Sequence, residues 1–272
     1  MEKTSRRALS LWLLLLTLGC TSDPIQPEPV AFFPLTIGSR WIYTVEEETI
    51  QLGTGEHMSG GRHSWDTLTV TRTENWDGKQ VTLIESRAWL PHGYMGEYVL
   101  YHSFHYYANS ATGLYNYGYR NPGGGANPIP GKLEIDFPDK GQGNVDEVEV
   151  HMFSPPLYVL AYPPVIGARW HYIKAATFPD YPIRANKEIV GQKIVRTIAG
   201  SFDCYEVLVE YDFDFDGAID DDRSMTEFFS EEGLIMRIVK SKGEVRDGNT
   251  GDVIDTTLTT TTYRLNEYSI GN

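Results

Sequence analysis

An eleven-residue stretch occurs twice in this 272-residue chain. Phe33-Pro34-Leu35-Thr36-Ile37-Gly38-Ser39-Arg40-Trp41-Ile42-Tyr43 matches Tyr162-Pro163-Pro164-Val165-Ile166-Gly167-Ala168-Arg169-Trp170-His171-Tyr172 at six positions, 129 residues apart. Glycine permits a tight turn that a Cβ would resist. Trp and Tyr two residues apart then share one face of a strand. A turn-plus-strand opening repeated at this distance divides the chain into two related halves, 32–158 and 159–272. A weaker echo follows each copy: Tyr106-Tyr107 runs toward Gly113-Leu114, and Phe228-Phe229 toward Gly233-Leu234, with spacings that differ by two residues.

Between the copies the pattern alternates with period two. Trp65 to Thr71 and Gln80 to Glu85 flank Asp77-Gly78, a strong hairpin signal. Cys204 to Tyr211, Leu234 to Val239 and Thr257 to Tyr263 read as further strands. No long run carries helical periodicity. The expectation is an all-β chain of two related antiparallel halves, curved sheets or half-barrels.

Two readings stand for the repeated aromatics. Trp41, Tyr43, Trp170 and Tyr172 can pack as core, each ring burying roughly 150–250 Å², or they can form a ligand-stacking platform. The glycine- and proline-rich run 122–131 is either a linker between the halves or a flap over a groove.

Residues 1–19 have the form of an export signal. Lys3, Arg6 and Arg7 precede an apolar run from Ala8 to Leu18 that is too short to span a bilayer. Leu16-Thr17-Leu18-Gly19-Cys20 resembles the bacterial lipoprotein signal, which implies cleavage before Cys20 and acyl chains on its thiol. Ser5-Arg6-Arg7-Ala8-Leu9 also resembles a twin-arginine motif, so the export route stays open. Residues 20–31, with Pro24, Pro27 and Pro29, suit an extended tether. Thr21, where the enterobacterial retention pattern has Asp, implies the outer membrane.

The segment Asp212-Phe213-Asp214-Phe215-Asp216-Gly217-Ala218-Ile219-Asp220-Asp221-Asp222 resembles the calcium loops of EF-hand and related D-x-D-x-D-G proteins. The resemblance implies oxygen ligands from Asp212, Asp214, Asp216, the Ala218 carbonyl and Asp220. Position 12 is Arg223 where the family has a bidentate Glu, so Asp221, Asp222 or a carboxylate from elsewhere in the chain would substitute. Glu210 to Asp222 holds seven acidic residues and no basic one. Two carboxylates about 5 Å apart repel by roughly 3 kcal/mol at an effective dielectric near 20. Strand-like flanks predict a structural calcium loop capping a hairpin. A solvated acidic turn is the competing reading.

The net charge of -14 argues against nucleic acid as a partner. Removing residues 1–19 takes away three basic side chains and one acidic one, so the acyl chains, not a basic patch, would hold the membrane. Two cysteines exclude a disulfide scaffold. No nucleophile elbow, zinc-protease motif, phosphate loop or dinucleotide fingerprint is present. His102 and His105 are three apart and face opposite sides of a strand. Cys204 reads as a buried structural thiol. Asp136, Asp139, Asp146, Glu147 and Glu149 read as a solvated face, although paired carboxylates serve glycosidases.

The chain resembles the β-rich lipoproteins of bacterial envelopes that open with P-x-x-x-G-x-x-W-x-Y, here Pro34, Gly38, Trp41 and Tyr43, with a second copy at Pro163, Gly167, Trp170 and Tyr172. The resemblance implies no activity. The leading expectation is a non-enzymatic, lipid-anchored envelope protein that binds a ligand or an envelope partner on a β-sheet surface. The alternatives are a surface-polysaccharide hydrolase and a structural spacer.

Overall fold

The computed structural model describes residues 32–76, 78–92, 97–120, 150–174, 183–213 and 215–272. Among them are twelve strands and no helix: β1 (Arg40–Gln51), β2 (His57–Trp76), β3 (Lys79–His92), β4 (Glu97–Ser110), β5 (Gly113–Arg120), β6 (His151–Ala161), β7 (Arg169–Ile173), β8 (Arg184–Thr197), β9 (Gly200–Asp212), β10 (Arg223–Ser230), β11 (Gly233–Arg246) and β12 (Val253–Ser269). They form one sheet in the order β6-β5-β4-β3-β2-β1-β12-β11-β10-β9-β8-β7. Every ladder is antiparallel. The sheet curls until its two end strands meet, giving a nearly closed barrel.

Two six-stranded meanders, β1–β6 and β7–β12, make up this sheet and join through the β1–β12 ladder. Each opens on one copy of the signature, and the copies adopt the same turn. Gly38 and Gly167 sit at φ 89° and 85°, in the left-handed region that favours glycine. Gly38 N donates to Val70 O, and Val70 N to Ser39 O. Gly167 N donates to Ile189 O, and Ile189 N to Ala168 O. The ladder slips just after Val70 in one meander and just after Ile189 in the other. The fainter echo marks matching irregularities too, with slips at Tyr106/Tyr107 and at Phe228/Phe229. The 158/159 boundary drawn from sequence falls inside β6; the signature begins just after that strand ends.

Alternation sets the core. In β1, Trp41, Tyr43 and Val45 point inward, while Arg40, Ile42 and Thr44 do not. In β9 the inward row is Phe202 and Cys204, then Val207, Val209 and Tyr211. Its parity changes at Tyr205-Glu206, where the register against β8 slips past Val190. The period expected for 204–211 is therefore interrupted once. β2 and β3 pair with Trp76 opposite Lys79, and Gly78 N is capped by Asn75 Oδ1 at 2.9 Å; Asp77 itself lies outside the described residues.

Strand directions alternate, so β1 and β7 start at the same end of the barrel. That end carries both signature turns. The opposite end carries the β9–β10 connection with its aspartates and the β11–β12 turn.

Candidate functional site

β6 and β7 approach each other without a ladder. The local sequence explains this. Pro155 and Pro156 remove two N–H donors from β6, and β7 is only five residues long. Side chains stitch the seam instead. Trp170 Nε1 donates to Tyr158 O at 2.8 Å, and Lys187 Nζ reaches across to Val159 O at 3.1 Å.

A pocket of about 490 Å³ opens beside this seam. Tyr115, Tyr117 and Tyr158 line it with His171, Lys79 and Lys174, above Tyr172. Tyr115 and Tyr158 stack with centroids 4.8 Å apart and planes 6° from parallel. Tyr158 OH is held by Thr112 O at 2.5 Å, and Tyr115 OH lies 3.1 Å from Thr112 Oγ1. Lys79 Nζ sits 4.4 Å from the Tyr117 centroid. No carboxylate lines the pocket among the described residues, in a chain of net charge -14. That lining suits aromatic stacking and anion contact. Its described residues include no pair of carboxylic acids of the kind glycoside hydrolysis uses.

Tyr172 connects the pocket to a charged cluster inside the barrel. Its ring lies 4.3 Å from Lys187 Nζ. Its buried hydroxyl has no hydrogen-bond partner among the described residues. Lys187, Glu227 and Arg237 are all fully buried. Glu227 Oε2 accepts from Lys187 Nζ, and Glu227 Oε1 from Arg237 Nε at 3.1 Å. Nearby, Asp66 is also fully buried and accepts from Ser86 Oγ at 2.8 Å. Burial opposes ionisation of Glu227, but Lys187 and Arg237 outweigh it and hold the carboxyl below its ordinary range. Burial likewise pulls Lys187 below the usual lysine value, against the pull of Glu227. Tyr107 and Tyr172 are pushed well above the usual phenol value by burial. The cluster is paired and sealed, which makes it a structural core feature.

The predicted platform is not exposed. Trp41, Tyr43 and Tyr172 are buried, and only Trp170 keeps partial exposure. Trp41 Nε1 donates to Glu232 O at 2.7 Å and Tyr43 OH to Leu234 O at 2.8 Å. Both point inward at the start of β1, where the β10–β11 hairpin crosses the barrel mouth. They are therefore core, and the exposed-platform reading is corrected. The aromatic surface lies instead on Tyr115, Tyr117 and Tyr158.

The aspartate loop joins β9 to β10, as a hairpin cap. Asp214 lies outside the described residues. Asp212 is buried: Oδ2 pairs with Arg184 at 2.9 Å, and Oδ1 has no hydrogen-bond partner among the described residues. Asp220 Oδ2 accepts from Phe213 N, and Asp216 Oδ1 from Ala218 N, each at 2.6 Å. Asp221 pairs with Lys242 at 2.6 Å, while Asp222 is exposed. Gly217 sits at φ 89°. No three metal-ligating side chains converge among the described residues.

Elsewhere, Cys204 is a buried free thiol, pushed up to about 12 by burial first and by Asp203. His102 pairs with Glu85 at 2.7 Å, and His105 lies buried near Ser103. Cys20, the tether, the 122–131 run and the acidic stretch 136–149 lie outside the described residues.

Sequence reasoning missed Lys187, Glu227 and Arg237, yet a signal was there. Each is flanked at i±2 by apolar residues: Ala185 and Ile189, Met225 and Phe229, Ile235 and Val239. A charge in an apolar row of one strand face is a buried charge.

No family model matches this chain, and no curated protein does. Several solved structures match it remotely. A candidate lipoprotein of Parabacteroides distasonis is 14% identical, with TM-score 0.36, over 89% of this chain and 100% of that one. A candidate exported protein with a YmcC-like fold from Bacteroides fragilis is 11% identical, with TM-score 0.37, over 88% and 99%. A β-barrel-like protein of a domain of unknown function from Brucella abortus is 11% identical, with TM-score 0.42, over 87% and 99%. Likenesses this remote say nothing of ligand or activity, and the fold rests on the ladders described above.

Proposed function

We propose that this chain is a non-enzymatic envelope lipoprotein, anchored through acyl chains on Cys20, whose barrel binds a ligand in the β6–β7 pocket. The observation that carries the binding reading is the pocket's lining: stacked tyrosines and two lysines, with no carboxylate among the described residues, in an acidic chain. Such a surface takes an anionic ligand with a flat or ring-shaped apolar face, and an acidic saccharide is the envelope chemistry of that description. Calorimetric titration with an oligo-uronate and with a neutral oligosaccharide of equal length tests this. Binding of the uronate, weakened at least tenfold by Lys174→Glu, supports the reading. Equal binding of both sugars, or of neither, removes it.

The Asp212–Asp222 loop belongs to the proposal as a structural calcium site. Asp212, Asp214, Asp216, Asp220, Asp222 and the Ala218 carbonyl are its candidate ligands. The unpartnered Oδ1 of buried Asp212 supports it. Melting with calcium and with chelator checks it. A higher melting temperature with calcium, abolished by Asp216→Asn, is expected. Identical curves make the loop a self-paired acidic turn.

A further inference from the structure

Six positions are identical between the two signature copies, and the fold accounts for three of them. Glycine makes the turn, and Trp and Tyr fill the core. The isoleucine is different. Ile37 is 52% exposed and Ile166 57% exposed, both at turn tips, where packing requires no large apolar side chain.

These tips do not stand alone. Val165 beside Ile166 is 56% exposed, and Ile270, next to Ile37, is 40% exposed. Gly271 N is bonded to Ser39 Oγ at 3.0 Å, which fixes Ile270 against the first signature turn. Residues 36–39, 163–168 and 269–271 contain no charged side chain. Arg40 and Arg169 follow three residues behind each isoleucine, both exposed. β1 and β7 are six places apart in a twelve-strand ring, so the two apolar tips stand on opposite sides of one mouth. Glu231 and Glu232 lie between them on the β10–β11 turn.

The chain enters the barrel at that same mouth. The Phe32 ring lies 5.5 Å from Tyr205 and 6.3 Å from Tyr162, just before the second tip. Phe33 stacks on Trp41 at 4.9 Å, and its carbonyl accepts from Asn109. The twelve residues from Cys20 to Ala31 reach at most about 40 Å. The other end of the barrel carries Asp216, Asp220, Asp221, Asp222, Asp247 and Asp252, which anionic headgroups repel.

The geometry points to a two-footed membrane stance: the exposed signature isoleucines, Ile37 with Ile270 and Ile166 with Val165, insert into the bilayer interface beneath the barrel mouth. The occupant of this apolar rim is the lipid surface that holds the anchor, and the inference rests on acylation of Cys20. Apolar tips enter the headgroup boundary with Arg40 behind the first facing phosphates, while Arg169 behind the second is paired with Glu210 and Glu188. The seam pocket and the acidic end are then set at fixed heights above the membrane.

The test uses the full lipidated chain in phosphatidylcholine vesicles containing bromolipid. Ile37→Trp, Ile166→Trp and, at the acidic end, Ile254→Trp each add one fluorophore, read as a difference from the parent. The added emission at 37 and 166 is expected to fall about twofold with bromolipid near the headgroups, and at 254 to stay unchanged. Vesicle flotation of Cys20→Ser runs alongside. If the parent floats and Cys20→Ser does not, but residues 37 and 166 escape quenching, the stance is overturned while the anchor stands. If the parent carries no acyl chain, the anchor reading fails and the stance falls with it.

Discussion

Two junctions close this barrel, and they are built differently. Between β1 and β12 the ladder runs unbroken in partners from Arg40↔Ser269 to Gln51↔Thr257, with one slip at Ile42/Tyr43. Between β6 and β7 there is no ladder, and Trp170 and Lys187 make the connections. A complete ladder satisfies the backbone and leaves no room between strands. An incomplete one leaves an opening whose walls are side chains, and here those walls are tyrosine and lysine. The weak junction is the one beside the pocket proposed above to take a ligand, and function is commonly drawn from the less stable parts of a fold.

The largest test of that contrast is the cluster that backs the seam. Glu227→Ala strands Lys187 and Arg237 in the interior, and breaking a buried pair costs about 3–5 kcal/mol. At roughly 2–4 °C per kcal/mol the melting temperature should drop by on the order of 10 °C, measured by circular dichroism. A drop of a degree or less would mean that the cluster is hydrated. The same group sets an acid limit. Its folded pKa lies below the ordinary 4.5. Its stabilisation is thus full above that value and is lost as pH falls through the lower, folded one. Glu227→Gln should flatten the acid limb of a stability–pH curve.

Intermediate effects sharpen the comparison. Gly167→Ala places a Cβ at φ 85° and should cost about 1–3 kcal/mol by chemical denaturation. Trp170→Phe removes one seam hydrogen bond and should cost about 1 kcal/mol. It should weaken uronate binding more than it lowers the melting temperature. The smallest effect belongs to the acidic end: Lys242→Ala removes an exposed pair with Asp221 and should leave the melting temperature unchanged.

The fold was largely legible. Alternation in Trp65–Thr71, Gly78 between β2 and β3 and the repeated Gly-x-Arg-Trp-x-Tyr opening each report a local rule that the structure obeys, whereas Thr257–Tyr263 is strand as expected but does not alternate in burial. The site was not. Tyr115 and Tyr158 are 43 residues apart in sequence and become neighbours only because β5 pairs with β6. Pocket walls built across strands leave no spacing to read. Of the two readings of the signature aromatics, core packing holds for Trp41 and Tyr43, which give their polar atoms to Glu232 O and Leu234 O. Lys187, Glu227 and Arg237 could have been found, because strand parity places each among apolar residues.

Native-state amide hydrogen exchange of the two junctions tests the account most directly. Amides of β1 and β12 should be the slowest in the protein. Amides on the facing edges of β6 and β7 should exchange orders of magnitude faster and slow when oligo-uronate is added. Equal protection at both junctions, or a seam unchanged by a ligand that binds, would contradict it.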